Sequence, residues 1–90
     1  MAEEMLRVAE KVVGREAKRV LLSYIQHKMA ECLEEIRMFE SKYGMDFEEF
    51  CEKFGREIPH DWEHERDLYE WEAAITELRA LVKEYERMRE

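Results

Sequence analysis

An all-α fold is what this sequence predicts: a long helix, a short corner helix and a second long, antiparallel helix, forming a helical hairpin that assembles into an oligomeric bundle. Three observations lead there. Helix breakers are few, with proline only at 59 and glycine at 14, 44 and 55, and the remainder is rich in Ala, Leu, Glu, Lys and Arg. Two long segments repeat their apolar residues at alternating steps of three and four. The chain is also short: 90 residues make a single helical domain over 1–90, which buries only about 60% of its unfolded surface. A lone copy is then marginal, so association is the expectation. The helices are placed at about 4–43, 46–54 and 61–89.

The first helix runs to Tyr43, with Gly44 as its left-handed stop. In its second half Leu22, Ile25, Met29, Cys32, Ile36, Phe39 and Tyr43 keep one stripe toward a partner helix. The segment KYGMDFEEFCEKFG, residues 42–55, follows as the corner. There Asp46 stands as an N-cap with Glu49 three residues on, and Phe47, Phe50, Cys51 and Phe54 fall at i, i+3, i+4 and i+7. This is a hydrophobic plug for the end of the bundle, with Glu48, Glu49 and Glu52 pointing away from it. The last helix enters through Asp61 as N-cap after Pro59, and its seam is Leu68, Trp71, Ile75, Leu78, Val82 and Tyr85. The two seams face each other.

At ~1.5 Å per residue the first helix is about 60 Å long and the last about 43 Å. Folded back from Gly44, the last helix is expected to run out near Gly14 and Arg15. Tracing the intrachain seam backward lands on Lys18, Arg15 and Lys11, so that stripe turns basic where the hairpin partner ends. A different stripe, Leu6, Ala9, Val13, Ala17, Val20 and Tyr24, lies on nearly the opposite side. Two apolar faces on one helix imply two partners, and the second is expected to be another copy, with a dimer favoured. The competing reading leaves residues 1–13 frayed, or makes Val12-Val13-Gly14 a short strand or kink, since glycine weakens a helix interior by ~1 kcal/mol.

The formal charge of −8 is unevenly placed: residues 1–43 carry eight acids and eight bases, and residues 44–90 carry fifteen acids and seven bases. Nucleic-acid binding is disfavoured, because neutralising phosphates requires a basic surface. A basic partner suits the acidic half better. Cys32 and Cys51 follow no paired metal spacing, and each reads as a small buried hydrophobe. The opening MAEEMLRVAE has no apolar core long enough for a signal peptide, and no stretch approaches the ~20 apolar residues of a membrane span, so a reduced cytoplasmic protein without membrane contact is expected. Charged residues at 42%, one Gln and no Asn lean toward a thermophile.

Candidate chemistry is sparse. Glu48, Glu49 and Glu52 spell E-E-x-x-E, the first half of the magnesium motif of all-helical nucleotide pyrophosphohydrolases. The second half, E-x-x-D from another helix, is needed because a hard cation bridging phosphates takes several oxygen ligands, and the matching place reads His64-Glu65-Arg66-Asp67. His60 and His64, with Asp61, Glu63 and Asp67 nearby, could offer imidazoles to a transition metal, but a helix cap between them breaks the spacing. No catalytic residue, metal ligand or cofactor is assigned. Trp71 belongs to the seam, whereas Trp62 is uncommitted and Tyr69 is offset toward an interface edge.

Lys42-Tyr43-Gly44-Met45 followed by Phe47 and Phe50, and Asp67-Leu68-Tyr69-Glu70-Trp71-Glu72 leading into the closing helix, carry a resemblance from about residue 14 onward. The chain is similar there to small prokaryotic helical proteins regarded as antitoxin-like components of toxin–antitoxin gene pairs. What the resemblance implies is a non-enzymatic role, in which an acidic, helix-rich protein sequesters a small toxin. It supplies no catalytic residues. The expectation is therefore a protein-interaction module that self-associates through Leu6, Ala9, Val13, Ala17, Val20 and Tyr24 and binds a small basic toxin protein through Trp62, Tyr69, Glu63 and Glu70. The alternatives are a metal-dependent nucleotide pyrophosphohydrolase-like enzyme and a purely homo-oligomeric structural protein.

Overall fold

The computed structural model describes residues 2–89, which form α1 (Ala2–Tyr43), α2 (Phe47–Lys53) and α3 (Trp62–Arg89). Each helix falls within two residues of its expected bounds. α1 passes through Val12, Val13 and Gly14 unbroken, so neither a strand nor a kink forms there. Glutamates at 3 and 4 and Lys42 in its last turn complement the helix dipole.

The corner is built from local chemistry. Gly44 takes φ +67° and its N–H donates to the Glu40 carbonyl at 2.7 Å, which ends α1 in the left-handed conformation that glycine adopts without strain. The Asp46 side chain then accepts from the Glu49 N–H at 2.9 Å and starts α2. After Phe54 a tight loop closes, with the Gly55 N–H donating to the Ile58 carbonyl at 2.8 Å and the Ile58 N–H donating to the Lys53 carbonyl at 3.1 Å. That loop turns Ile58 into the core. Asp61 caps α3 by accepting from the His64 N–H at 3.0 Å.

The expected seams hold together: Ile25, Cys32 and Phe39 of α1 are buried, as are Trp71 and Ala74 of α3, and the other seam positions are partly buried. The packing is densest at the corner. Trp71 is fully buried there, with ring centroids 5.5 Å from Phe39, 5.4 Å from Phe47, 5.3 Å from Phe50 and 6.1 Å from Tyr43. Its Nε1–H finds no acceptor, a loss of about 1–3 kcal/mol. Burying so large a ring contributes more, about 4–6 kcal/mol.

Two expectations are corrected. Cys51 is exposed, because α2 turns Phe50 squarely to the core and leaves the next residue at the rim of the plug. The hairpin is also shorter than helix lengths suggested. Asp67 meets Tyr43, and Tyr85 accepts from the Gln26 side chain at 3.0 Å, a register that sets the end of α3 opposite Leu22 rather than Gly14 or Arg15. The reason lies in the corner: the first turn of α3 overshoots the end of α1, so α3 covers correspondingly less of α1 at the other end. Residues 2–21 are exposed without exception, a helical arm of about 30 Å that its own chain does not cover.

Candidate protein-interaction site

Two surfaces remain once the hairpin is closed: the corner and the arm. At the corner Asp67 sits in the seam, one helical turn before Trp71, and is only 3% exposed. The Lys42 ammonium donates to its Oδ2 at 2.6 Å and the Tyr43 hydroxyl donates to the same atom at 2.5 Å. Burial pushes the Asp67 carboxyl up, but the hydrogen bonds from Lys42 and Tyr43 and the charges of Lys42 and Arg66 outweigh it, so its pKa lies below the usual aspartate value. Tyr43 is shifted the other way, by burial first and then by its bond to Asp67, and stays a phenol. The KYGM and DLYEWE segments, distant in sequence, thus meet at one buried ion pair and one aromatic cluster.

Sequence reasoning placed Asp67 near the histidines and at the head of the Asp67-Leu68-Tyr69-Glu70-Trp71-Glu72 segment, without a place in the seam. The signal that would have found it is its spacing, since residues 67, 71, 74 and 78 follow one face and an acid on an apolar face requires a buried partner. Its withdrawal also disperses the imidazole cluster. The His64 ring pairs with Asp61 at 2.6 Å, His60 lies 3.9 Å from Glu65, and Asp67 faces α1 instead. Glu49 of the E-E-x-x-E run lies 3.3 Å from Lys53. Among the described residues no group of three His, Cys, Asp or Glu side chains gathers in a way that could hold a metal. Burial and the neighbouring Glu77 push the Cys32 thiol up.

Trp62 and Tyr69 are exposed by 75% and 60%, and seven residues apart they share one side of α3. Glu63 and Glu70, also seven apart, lie about 100° round from them, so the four residues form two adjoining sides and not one patch. Glu63 lies 3.9 Å from Lys42, Glu70 is exposed, and the Tyr69 hydroxyl donates to Glu65 at 3.2 Å. Among the other acids of α3, Glu65 is engaged by Tyr69 and Glu84 by Arg87. Tyr69 leads at helical spacing to Glu72 and Thr76, where a 380 Å³ crevice opens between the helices. Its floor is Ile36, Phe47, Trp71 and Ile75, and its rim carries Glu40, Asp46, Glu48 and Glu72 against Arg79. Such a crevice suits a long basic side chain, whose stem is apolar and whose head is cationic.

Leu6, Val13 and Val20 on the arm, and Tyr24 just beyond it, each leave between 58% and 66% of their surface in water, and Ala9 and Ala17 are exposed between them. Met5, Val8 and Val12 add a second apolar strip beside the first. Tyr24, at the foot of the arm, holds the Lys28 ammonium 5.8 Å from its ring centroid. No helix among the described residues is long and apolar enough to cross a membrane. Compared with family models, with curated proteins and with solved structures, the chain finds no match.

Proposed function

We propose that the protein is a non-enzymatic protein-interaction module, antitoxin-like, that self-associates through its arm and sequesters a small basic partner protein with its acidic second half. The observation that carries this reading is the arm: a helix of about twenty residues with an apolar stripe and no intrachain cover. Short isolated helices are marginal in water, and an exposed stripe of this length is an association liability unless another surface meets it. A second copy supplies that surface, with a dimer favoured.

The heterologous partner is drawn by the −8 charge, which lies wholly after residue 43. Trp62 and Tyr69 serve as aromatic anchors, Glu63 and Glu70 steer from the adjoining side, and the acidic crevice takes a Lys or Arg side chain. Asp67 does not contact the partner, since Lys42 and Tyr43 already occupy it. Co-expression with the product of the adjacent reading frame tests this. The expected result is a small basic protein that is toxic alone, is retained by this chain, and dissociates faster from Trp62→Ala than from any single Glu→Gln change on the rim. A neighbour that is neither toxic nor retained overturns the antitoxin assignment.

A further inference from the structure

We infer that two copies pair through their arms in an antiparallel register, with Leu6 of one copy against Tyr24 of the other, Ala9 against Val20, and Val13 against Ala17. This rests on the self-association proposed above and adds its geometry. α1 is one unbroken helix, so the stripe keeps its spacing through Gly14, and its steps of three and four are those of an interhelical seam. A two-fold axis at the level of Arg15 maps this stripe onto itself.

Size and charge both select that register. Running antiparallel, the seam sets each inner valine against an alanine, so large side chains enter the space left by small ones. Running parallel and in register, it stacks alanine on alanine and valine on valine, alternating loose layers with crowded ones. The charges beyond the arm decide more strongly. Past Tyr24 the same side of α1 carries Glu31, Glu34 and Glu35 around an exposed Met38, with Glu31 met by His27 at 3.1 Å and Lys28 at 3.5 Å and the other two acids free of such partners among the described residues. A parallel pair brings these acids against their own counterparts. An antiparallel pair centred on Arg15 keeps each of these acids away from its own counterpart in the other copy. Met5, Val8 and Val12 lie about 100° to one side and stay on the outside of the pair.

The arrangement predicts a shape. One chain is 72 Å long, and overlapping the arms yields a rod of roughly 100 Å, whereas a parallel pair stays near the length of one chain. The test uses the full chain with the exposed Cys51 changed to Ser and the buried Cys32 left in place. Val13→Cys and Ala17→Cys are prepared separately, then oxidised alone and as a mixture. The expected result is a disulfide-linked dimer in the mixture and essentially none from either variant alone, with a maximum scattering dimension of roughly 100 Å. Val13→Cys crosslinking by itself, or a dimer near 72 Å, overturns the register while leaving self-association standing. A monomer by sedimentation removes both.

Discussion

Asp67 is the residue on which the corner turns, since it joins the end of α1 to α3 from inside an apolar seam. Removing the Tyr43 hydroxyl by Tyr43→Phe leaves Lys42 in place and should lower unfolding free energy by about 1 kcal/mol. Lys42→Met leaves the buried carboxylate with the phenol and the more distant Arg66 guanidinium at 3.9 Å, and should do more damage, about 1–3 kcal/mol, both read from denaturant melts. The pH dependence follows from the direction of the shift. A folded-state pKa below the unfolded value of about 3.9 contributes stability that is complete above that value and is lost as pH falls through the folded pKa. The melting temperature should therefore fall below about pH 4, and Asp67→Asn should make that fall shallower. Helical spacing alone marked Trp71 as core, because its neighbours on that face are apolar. The same spacing puts Asp67 on that face, but does not show what satisfies it there, because its partners come from 24 and 25 residues away.

Among the elements, α1 and α3 were legible because a stripe repeating at three and four residues over this length has no other stable use. The corner helix was legible through Asp46, Gly44 and its phenylalanines. The reach of the hairpin was not, because it depends on how far α3 begins beyond α1, which no periodicity encodes. The two α1-related glycines differ accordingly. Gly44 sits at φ +67°, so Gly44→Ala forces a left-handed alanine and should destabilise by about 1 kcal/mol. Gly14 lies inside the arm, where an added Cβ meets nothing within 4 Å. Gly14→Ala should then strengthen the arm by about 1 kcal/mol, seen as added helicity by circular dichroism and a higher melting temperature. Opposite signs at the two positions are expected from one kind of substitution.

As a whole molecule the chain is a rod, with extents of 72 × 19 × 16 Å and a radius of gyration of 20.3 Å. A compact domain of this length would have a radius of about 12 Å. The difference comes from the arm, whose apolar residues gain nothing from folding against their own chain. Composition and stripe together made the uncovered apolar face of α1 legible, and the offset of Trp62 and Tyr69 from the seam made their exposure legible, but no residue pattern names what meets either surface. Salt acts on the two surfaces differently: raising ionic strength should slow capture of a basic partner by α3 and leave apolar self-association largely unchanged. We propose that the arm exists to be covered by a second copy. Sedimentation velocity at tens of micromolar, where an interface of about 6 kcal/mol is half filled, measures it directly on the intact chain and on the Val13→Glu, Val20→Glu double variant. An assembly of at least two 11.0 kDa chains is expected for the former and a still-helical monomer for the latter. A wild-type chain that sediments as a monomer, or a double variant that assembles as well as wild type, would contradict it.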